Sequence, residues 1–380
     1  MRILIVHNTL NDTGGGERVT LHIVKTLIEH GHDVVLGTVE KTDWKRVLKI
    51  INVKLPKIPE EISLTKELRA FGLYQRQILA FNILRYRSKY DLILNTHGDA
   101  MLVPADIVYM HFPTIVLLRG PWSIHTKYSK STLWKLYFVP YEAVLSVGIK
   151  NLENSLILTN SKFSQMVIER YLNKKAVVVY PPVEIGDYVK CVSDDKLVQR
   201  KNSVVVISRF TPEKNLHLIP YIAKELQDIE FHIIGAVKGV RAEKYLSQIK
   251  MLQKKFNLRN IYLHPNASHE EKLKILSRSK VLLHLMPYEH FGIVVVEGQA
   301  SGCVPVIHKS GGQWLDIAEE GKYGVGFDNL HPLEIADKIQ EAIDKWSPKL
   351  ARHLARHASK FSDKMFEKRI IKIIEIYSNM

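Results

Sequence analysis

Short apolar runs alternate along the chain with segments whose apolar residues recur at three- and four-residue spacing. The first forty residues set the pattern. Residues 3–6 form an apolar run, and a loop follows through Thr13, Gly14, Gly15 and Gly16. Val19, Ile23, Val24, Leu27 and Ile28 then mark one face of a helix. Gly31 closes that helix, and Val34, Val35 and Leu36 begin a second strand. Further strand cores are predicted at 92–94, 107–109, 155–158 and 176–179, with helical patterns between them, one running from about Leu64 to Tyr90.

Tyr180-Pro181-Pro182-Val183 is a stiff break that neither a helix nor a central strand absorbs. After it the alternation restarts. Strands are predicted at 203–207, 231–234, 261–264, 281–285 and 304–307, and helices at 216–226, 242–256, 270–279 and 293–300. A final helical pattern over 362–380 carries Phe366, Ile370, Ile371, Ile373, Ile374 and Tyr377, with no strand after it. Its packing partner cannot be read from the sequence. Nearly continuous apolar strands alternating with helices predict parallel sheets covered on both faces. The expected architecture is therefore α/β, with Rossmann-like domains over 1–182 and 183–361 and a terminal helix over 362–380. No internal repeat or low-complexity tract interrupts it.

Composition narrows the function classes. At 380 residues the chain is long enough for two cores, and 46% hydrophobic with 24% charged residues is an ordinary globular balance. Its two cysteines, Cys191 and Cys303, exclude a disulfide scaffold and a Cys-based zinc module. The opening apolar run is too short for a signal peptide, and no stretch reaches the roughly 18 apolar residues of a membrane span. A peripheral, cytoplasmic protein is expected.

The formal net charge of +15 bears on partners. Residues 41–135 hold 16 basic and 7 acidic side chains, interleaved with Phe71, Tyr74, Phe81, Tyr86, Tyr90 and Tyr128, and Tyr137 and Phe138 follow directly. Such a mixture suits the headgroup layer of an anionic membrane, with Trp122, Lys127, Lys130, Trp134 and Lys135 as the expected surface residues. A nucleic acid could use the same chemistry, and a solvated basic face needs no partner at all. Membrane association without nucleic acid is the expectation carried forward.

In open parallel sheets, ligands bind beyond the carboxyl ends of the strands. Four loops in such positions stand out. Gly14-Gly15-Gly16-Glu17-Arg18 leads into a helix, where backbone N–H groups can approach an anion. It is not the dinucleotide fingerprint, because Val19 stands at the third glycine, although Glu40 ends the second strand as a ribose-binding acid would. Ser208-Arg209-Phe210-Thr211-Pro212-Glu213-Lys214-Asn215 places two cations after the first strand of the second domain, which suits a diphosphate, although such cations are commonly plain surface residues. In Pro287-Tyr288-Glu289-His290-Phe291-Gly292-Ile293-Val294-Val295-Val296-Glu297, two carboxylates flank a helix start, separated by a rise of roughly 7–8 Å. Each could accept hydroxyls, one from a sugar and one from a ribose. Ser301-Gly302 and Ser310-Gly311-Gly312 follow nearby. Last, Tyr109-Met110-His111-Phe112-Pro113 ends a strand of the first domain. His353 and His357, four apart on a helix, lack the glutamate and third ligand of a zinc-protease site and read as surface.

These motifs resemble those of glycosyltransferase family 4, retaining sugar-nucleotide enzymes of GT-B fold, in which two Rossmann-like domains face each other across a cleft. The resemblance spans nearly the whole chain: the GGGER loop, His111, Asn160-Ser161-Lys162, YPPV, SRFTPEKN and the E-x7-E motif ending in EGQASG. YMHFPTI, PYEHFGIVVVEGQASG and HKSGGQWLDI are most similar in wording to dolichol-pathway α-1,2-mannosyltransferases, which extend a lipid-linked oligosaccharide with GDP-mannose. The resemblance implies Arg209 and Lys214 on the donor diphosphate, with Phe291 and the amides of Gly292, Ile293 and Val294 beside it. It implies Glu289 on the donor sugar, Glu297 on the ribose, and the Gly15-Gly16 loop on the diphosphate from the other domain. His111 and Glu289 become the expected catalytic pair. It further implies no metal and no cofactor beyond the nucleotide-sugar, with fixed cations replacing a divalent ion; no Asp-x-Asp motif is present. The eukaryotic enzymes carry an N-terminal anchor that this sequence is expected to lack. A UDP- or ADP-sugar enzyme acting on a soluble acceptor is the alternative, and a nicotinamide enzyme or a basic nucleic-acid binder the distant ones.

Overall fold

A computed structural model of the chain describes residues 1–64, 83, 85–99, 101–114, 116 and 148–378. Most of the helical pattern expected over 64–90, and all of Trp122, Lys127, Lys130, Trp134 and Lys135, lie outside the described residues. The chain divides into two compact units, one of Met1–Pro182 with Asp363–Met380 and one of Val183–Ser362.

The first unit is built on seven parallel strands: β1 (Arg2–Val6), β2 (Asp33–Thr38), β3 (Glu60–Ser63), β4 (Leu92–Asn95), β5 (Ile107–Met110), β6 (Leu156–Thr159) and β7 (Val177–Val178). Their order is β3-β2-β1-β4-β5-β6-β7. Every residue of β4 and β5 is buried, which is why these strands read as unbroken apolar runs rather than as alternation. The order reverses between β1 and β4, the position where an open α/β sheet takes its ligand.

Helix α1 (Gly15–Glu29) follows β1. The Glu17 carboxylate accepts the Gly14 N–H at 2.6 Å, the acidic half of a capping box. Gly31, at φ +80°, turns the chain after the helix, as its position in the sequence suggested. Helix α2 (Trp44–Ile51) is capped by Asp43, and α3 (Lys162–Leu172) by Ser161, whose hydroxyl accepts the Ser164 N–H. The Asn160-Ser161-Lys162 segment thus serves at least as a helix start.

The second unit holds six parallel strands: β8 (Lys201–Ile207), β9 (Glu230–Gly235), β10 (Ile261–Pro265), β11 (Ser279–His284), β12 (Val304–His308) and β13 (Val325–Phe327). Their order is β10-β9-β8-β11-β12-β13, with the reversal between β8 and β11. Helices α4 (Ile219–Glu225), α5 (Gly239–Lys255), α6 (His269–Leu276), α7 (Ile293–Ala300), α8 (Pro332–Lys345) and α9 (Pro348–Ala358) surround it. The helix expected at 216 begins instead with a 3-10 turn over Leu216–Leu218, and Pro220 sits in the first turn of α4, where its missing N–H costs nothing. Arg200 is buried and donates to the carbonyls of Cys191, Leu276, Ser279 and Ser301, joining the start of β8 to three neighbouring segments. Both cysteines are free and buried, and burial pushes the Cys303 thiol up to about 11.

The last helix, α10 (Asp363–Ser378), returns to the first unit. Phe366, Ile370 and Ile374 bury one face in that unit's core, and Lys25 of α1 pairs with Glu367 at 2.6 Å.

Candidate active site

In the second unit the loops after β8, β11 and β12, adjacent strands at the reversal of order, bring three segments together. Lys214 ends a single 3-10 turn (Pro212–Lys214) beyond β8, and its Nζ lies 2.7 Å from Glu289 Oε2. His284, the last residue of β11, places Nε2 3.5 Å from the same oxygen. The Lys214 and Glu289 side chains are 16% and 20% exposed, so the pair is shielded but reachable. Burial pushes the Glu289 carboxyl up, but the hydrogen bond from His284 and the Lys214 charge outweigh it and hold it far below the usual carboxylate range. Burial lowers His284, so its imidazole is neutral near pH 7. The site therefore holds one fixed carboxylate, one ammonium and one neutral imidazole.

The backbone around Glu289 is fixed from the β12 side. Tyr288 adopts φ +54°, a left-handed conformation costing about 1 kcal/mol for such a residue. Its N–H donates to Ser310 Oγ at 2.8 Å, and that hydroxyl also lies 2.7 Å from His308 Nδ1. The Gly312 N–H donates to the Glu289 carbonyl at 2.9 Å. Gly311, at φ +74°, has no room for a side chain: a Cβ there would fall 2.3 Å from the same carbonyl oxygen. Gly292, at φ +104°, turns the chain into α7. The first amides of that helix, at Ile293 and Val294, cannot bond within it, which leaves N–H groups beside Glu289 for an anion.

Glu297, the fifth residue of α7, is buried. Its Oε2 takes a salt bridge from Lys272 of α6 at 3.2 Å, and Lys272 also donates to the Tyr188 hydroxyl at 2.5 Å.

The first unit holds its own polar cluster at its strand reversal. His111 directly follows β5 and lies over the start of α1: a Cβ on Gly16 would be 3.3 Å from His111 Nε2. Below it, His7 at the end of β1 places Nδ1 2.9 Å from Thr96 Oγ1 and 3.1 Å from Thr20 Oγ1, with Nε2 3.4 Å from Glu17. Burial pushes Glu17 up, and the His7 hydrogen bond and charge, with backbone N–H groups, bring it net below the usual range. Val19 is fully buried where a dinucleotide fold needs glycine, and Glu40 accepts the Thr9 hydroxyl at 2.8 Å.

Of the residues singled out in the sequence, the structure joins Lys214 with Glu289 and the Gly292 turn, and His111 with Gly16. Two expectations need correction. Phe291 is only 3% exposed and packs its ring on Phe361, so its side chain belongs to the core and does not line a donor site. His357 is partly buried rather than superficial: it stacks on Tyr323 with centroids 3.6 Å apart. Lys214 shares its charge with Glu289, and Arg209 is exposed. Sequence reading missed His284, Lys272, Tyr188 and His7. His284 ends an apolar strand beside two marked loops, and this position was the available signal. Lys272 and Tyr188 carried none, since their meeting depends on the packing of α6. Among the described residues no group of three or more His, Cys, Asp or Glu side chains is arranged to hold a metal, and no helix is long and apolar enough to cross a membrane.

Residues 193–361 match the family described as glycosyl transferases group 1. The chain is 28% identical to a GDP-Man:Man(3)GlcNAc(2)-PP-Dol alpha-1,2-mannosyltransferase of Neurospora crassa, over 59% of this chain and 44% of that protein. A protein of the same name from Xenopus tropicalis is 24% identical over 88% of this chain and 78% of its own. The chain spans about half the length of the Neurospora crassa relative and of its Xenopus laevis counterpart (44% and 50%). Among solved structures, sucrose-phosphate synthase of Thermosynechococcus elongatus superposes with a TM-score of 0.75 at 14% identity, covering 100% of both chains. Anabaena HepE in complex with UDP gives 0.74 at 17% identity, over 99% of this chain and 100% of that one. These likenesses establish the fold. The chain has the GT-B fold, with the match to the glycosyl transferases group 1 family confined to residues 193–361.

Proposed function

We propose that the chain is a retaining hexosyltransferase that moves mannose from GDP-mannose to a lipid-linked glycan without a metal ion. The observation that carries this reading is the fixed Lys214–Glu289 pair at the carboxyl ends of β8 and β11, next to the start of α7. The names of the relatives support the donor and the acceptor class.

In this reading Glu289 accepts hydroxyls of the donor sugar and Glu297 those of the ribose. The pairing of Lys214 with Glu289 makes the bare site nearly neutral there. Net positive charge for the diphosphate then comes from Lys214 shared between two anions, from Arg209, and from the amides of Gly292, Ile293 and Val294 at the start of α7. Fixed donors of this kind stabilise a leaving phosphate where a divalent ion otherwise would. The bond from the sugar C1 to the phosphate oxygen breaks, the acceptor oxygen bonds to C1 on the same face, and its proton passes to the departing phosphate. His111 and the Gly16 turn lie together within the first unit.

Thermal shift with GDP, UDP, ADP and NAD tests the donor class. GDP at a hundred times its Kd should add about 2.7 kcal/mol, and transfer should survive EDTA. Stabilisation by NAD alone contradicts the reading, and a strict need for Mg²⁺ or Mn²⁺ contradicts its metal-free mechanism. UDP or ADP in place of GDP moves it to the alternative donors.

The basic, aromatic stretch within 41–135 supports work at the cytoplasmic face of a membrane, where each cation near an anionic surface contributes about 1 kcal/mol. Flotation with anionic liposomes should show binding that falls steeply with salt and is lost when Lys127, Lys130 and Lys135 become Glu. No association at low salt removes the membrane from the account.

A further inference from the structure

The Lys272–Glu297 contact is more than a link between two helices. Lys272 is the fourth residue of α6, in a first turn that already carries Glu270 and Glu271. A cation there opposes the helix dipole, so α6 gains nothing electrostatically from a lysine at this position. The side chain nevertheless reaches inward, only 19% exposed, and places Nζ 3.2 Å from Glu297 Oε2. Tyr188, buried at 4% exposure, holds it there: its hydroxyl accepts from Nζ at 2.5 Å, and its ring lies beneath the ammonium at 5.0 Å. The Tyr188 ring is set in turn by the edge of His269 at 5.7 Å, and His269 Nε2 is 3.3 Å from Asp187. Two segments, α6 and residues 187–188, thus seat one ammonium on one oxygen of the Glu297 carboxylate.

That geometry has a consequence for binding. A carboxylate as buried as Glu297 is costly without a counter-charge. Lys272 supplies the charge through Oε2, and among the described residues Oε1 keeps its lone pairs for hydroxyl donors. Glu297 is then an acceptor of fixed orientation before any ligand arrives. Hydrogen bonds to such a fixed, charged acceptor are the strong ones.

We propose that Lys272, seated on Tyr188, is a positioning residue that orients Glu297 to receive the vicinal hydroxyls of the donor's ribose. This rests on the donor reading above, and it adds the residues that make the ribose subsite selective. A purely structural staple between α6 and α7 would instead affect every nucleotide alike.

The experiment uses titration calorimetry on the full chain, with whichever of GDP, UDP or ADP binds the wild type and with its 2′,3′-dideoxy analogue. Wild type should bind the dideoxy form at least about tenfold more weakly, the worth of one hydrogen bond to a charged group. Lys272→Met should weaken the ribonucleotide by a similar factor and leave the dideoxy form within twofold, so that the discrimination collapses. Tyr188→Phe, which removes only the hydroxyl, should lower the discrimination part of the way. Equal weakening of both nucleotides by Lys272→Met, or intact discrimination in that variant, overturns the inference while leaving the donor site standing. Failure of the wild type to bind any of the three nucleotides overturns the donor reading, and this inference falls with it.

Discussion

Lys214→Met should lower sugar transfer by about 10²- to 10³-fold, the loss seen when a fixed charge-stabilising donor is removed from a developing anion. The same change should also destabilise the second unit, because the shielded Glu289 carboxylate loses its counter-charge; about 3 kcal/mol is the scale for a broken buried pair. Adding Glu289→Gln to that variant removes the stranded charge. It should therefore recover much of the stability and none of the transfer. The pH dependence has a defined sign. The folded-state carboxyl is depressed, so its contribution is complete above the unfolded value near 4.3 and is lost as pH falls towards its folded value. The stability gap between wild type and Lys214→Met should accordingly narrow below about pH 4. Chemical denaturation at several pH values, run beside transfer assays, checks both halves.

Gly311→Ala should have the other large effect. The backbone there is at φ +74°, and a Cβ would meet the carbonyl oxygen of Glu289 at 2.3 Å, its nitrogen at 2.8 Å and the Tyr288 carbonyl carbon at 2.9 Å. All three are backbone atoms of the strained segment that presents Glu289, so relief requires moving the site itself. A loss of about 2–4 kcal/mol, together with at least a hundredfold loss of donor affinity, is expected. Gly31→Ala separates clash from strain. Gly31 has a similar φ of +80° with nothing within 4 Å of a built Cβ, so only the conformational cost of about 1 kcal/mol should appear. Thermal melts of the two variants give the comparison, and similar losses would contradict the packing argument.

How far the sequence carried depended on whether an element is specified by its own residues or by its neighbours. Strands β4, β5 and β8 were legible because central parallel strands are buried on both faces and must be apolar throughout. β3 and β13 were not. Glu60–Ser63 is a polar edge of four residues and Val325–Phe327 has only three, so neither leaves a run long enough to notice. The terminal helix announced its apolar face, but nothing in that face names α1 as its partner. The site divides in the same way. Glu289, Glu297 and the glycines were visible because their spacing around one helix start is local. The neutral His284, the Ser310 contact to Tyr288 and the Lys272–Tyr188 seat arise where distant segments meet. Phe291 was placed beside the donor by the resemblance of its loop, while its neighbour in space is Phe361.

The central claim is that Glu289 recognises the transferred sugar at a nucleotide-sugar site in the second unit. Calorimetric titration of GDP-mannose and GDP against wild type and Glu289→Ala tests it most directly. The account predicts that Glu289→Ala loses most of the extra affinity, or the extra enthalpy, that the sugar confers in the wild type, while binding of bare GDP changes little. Equal weakening for GDP and GDP-mannose, or an unchanged affinity for both, would contradict it.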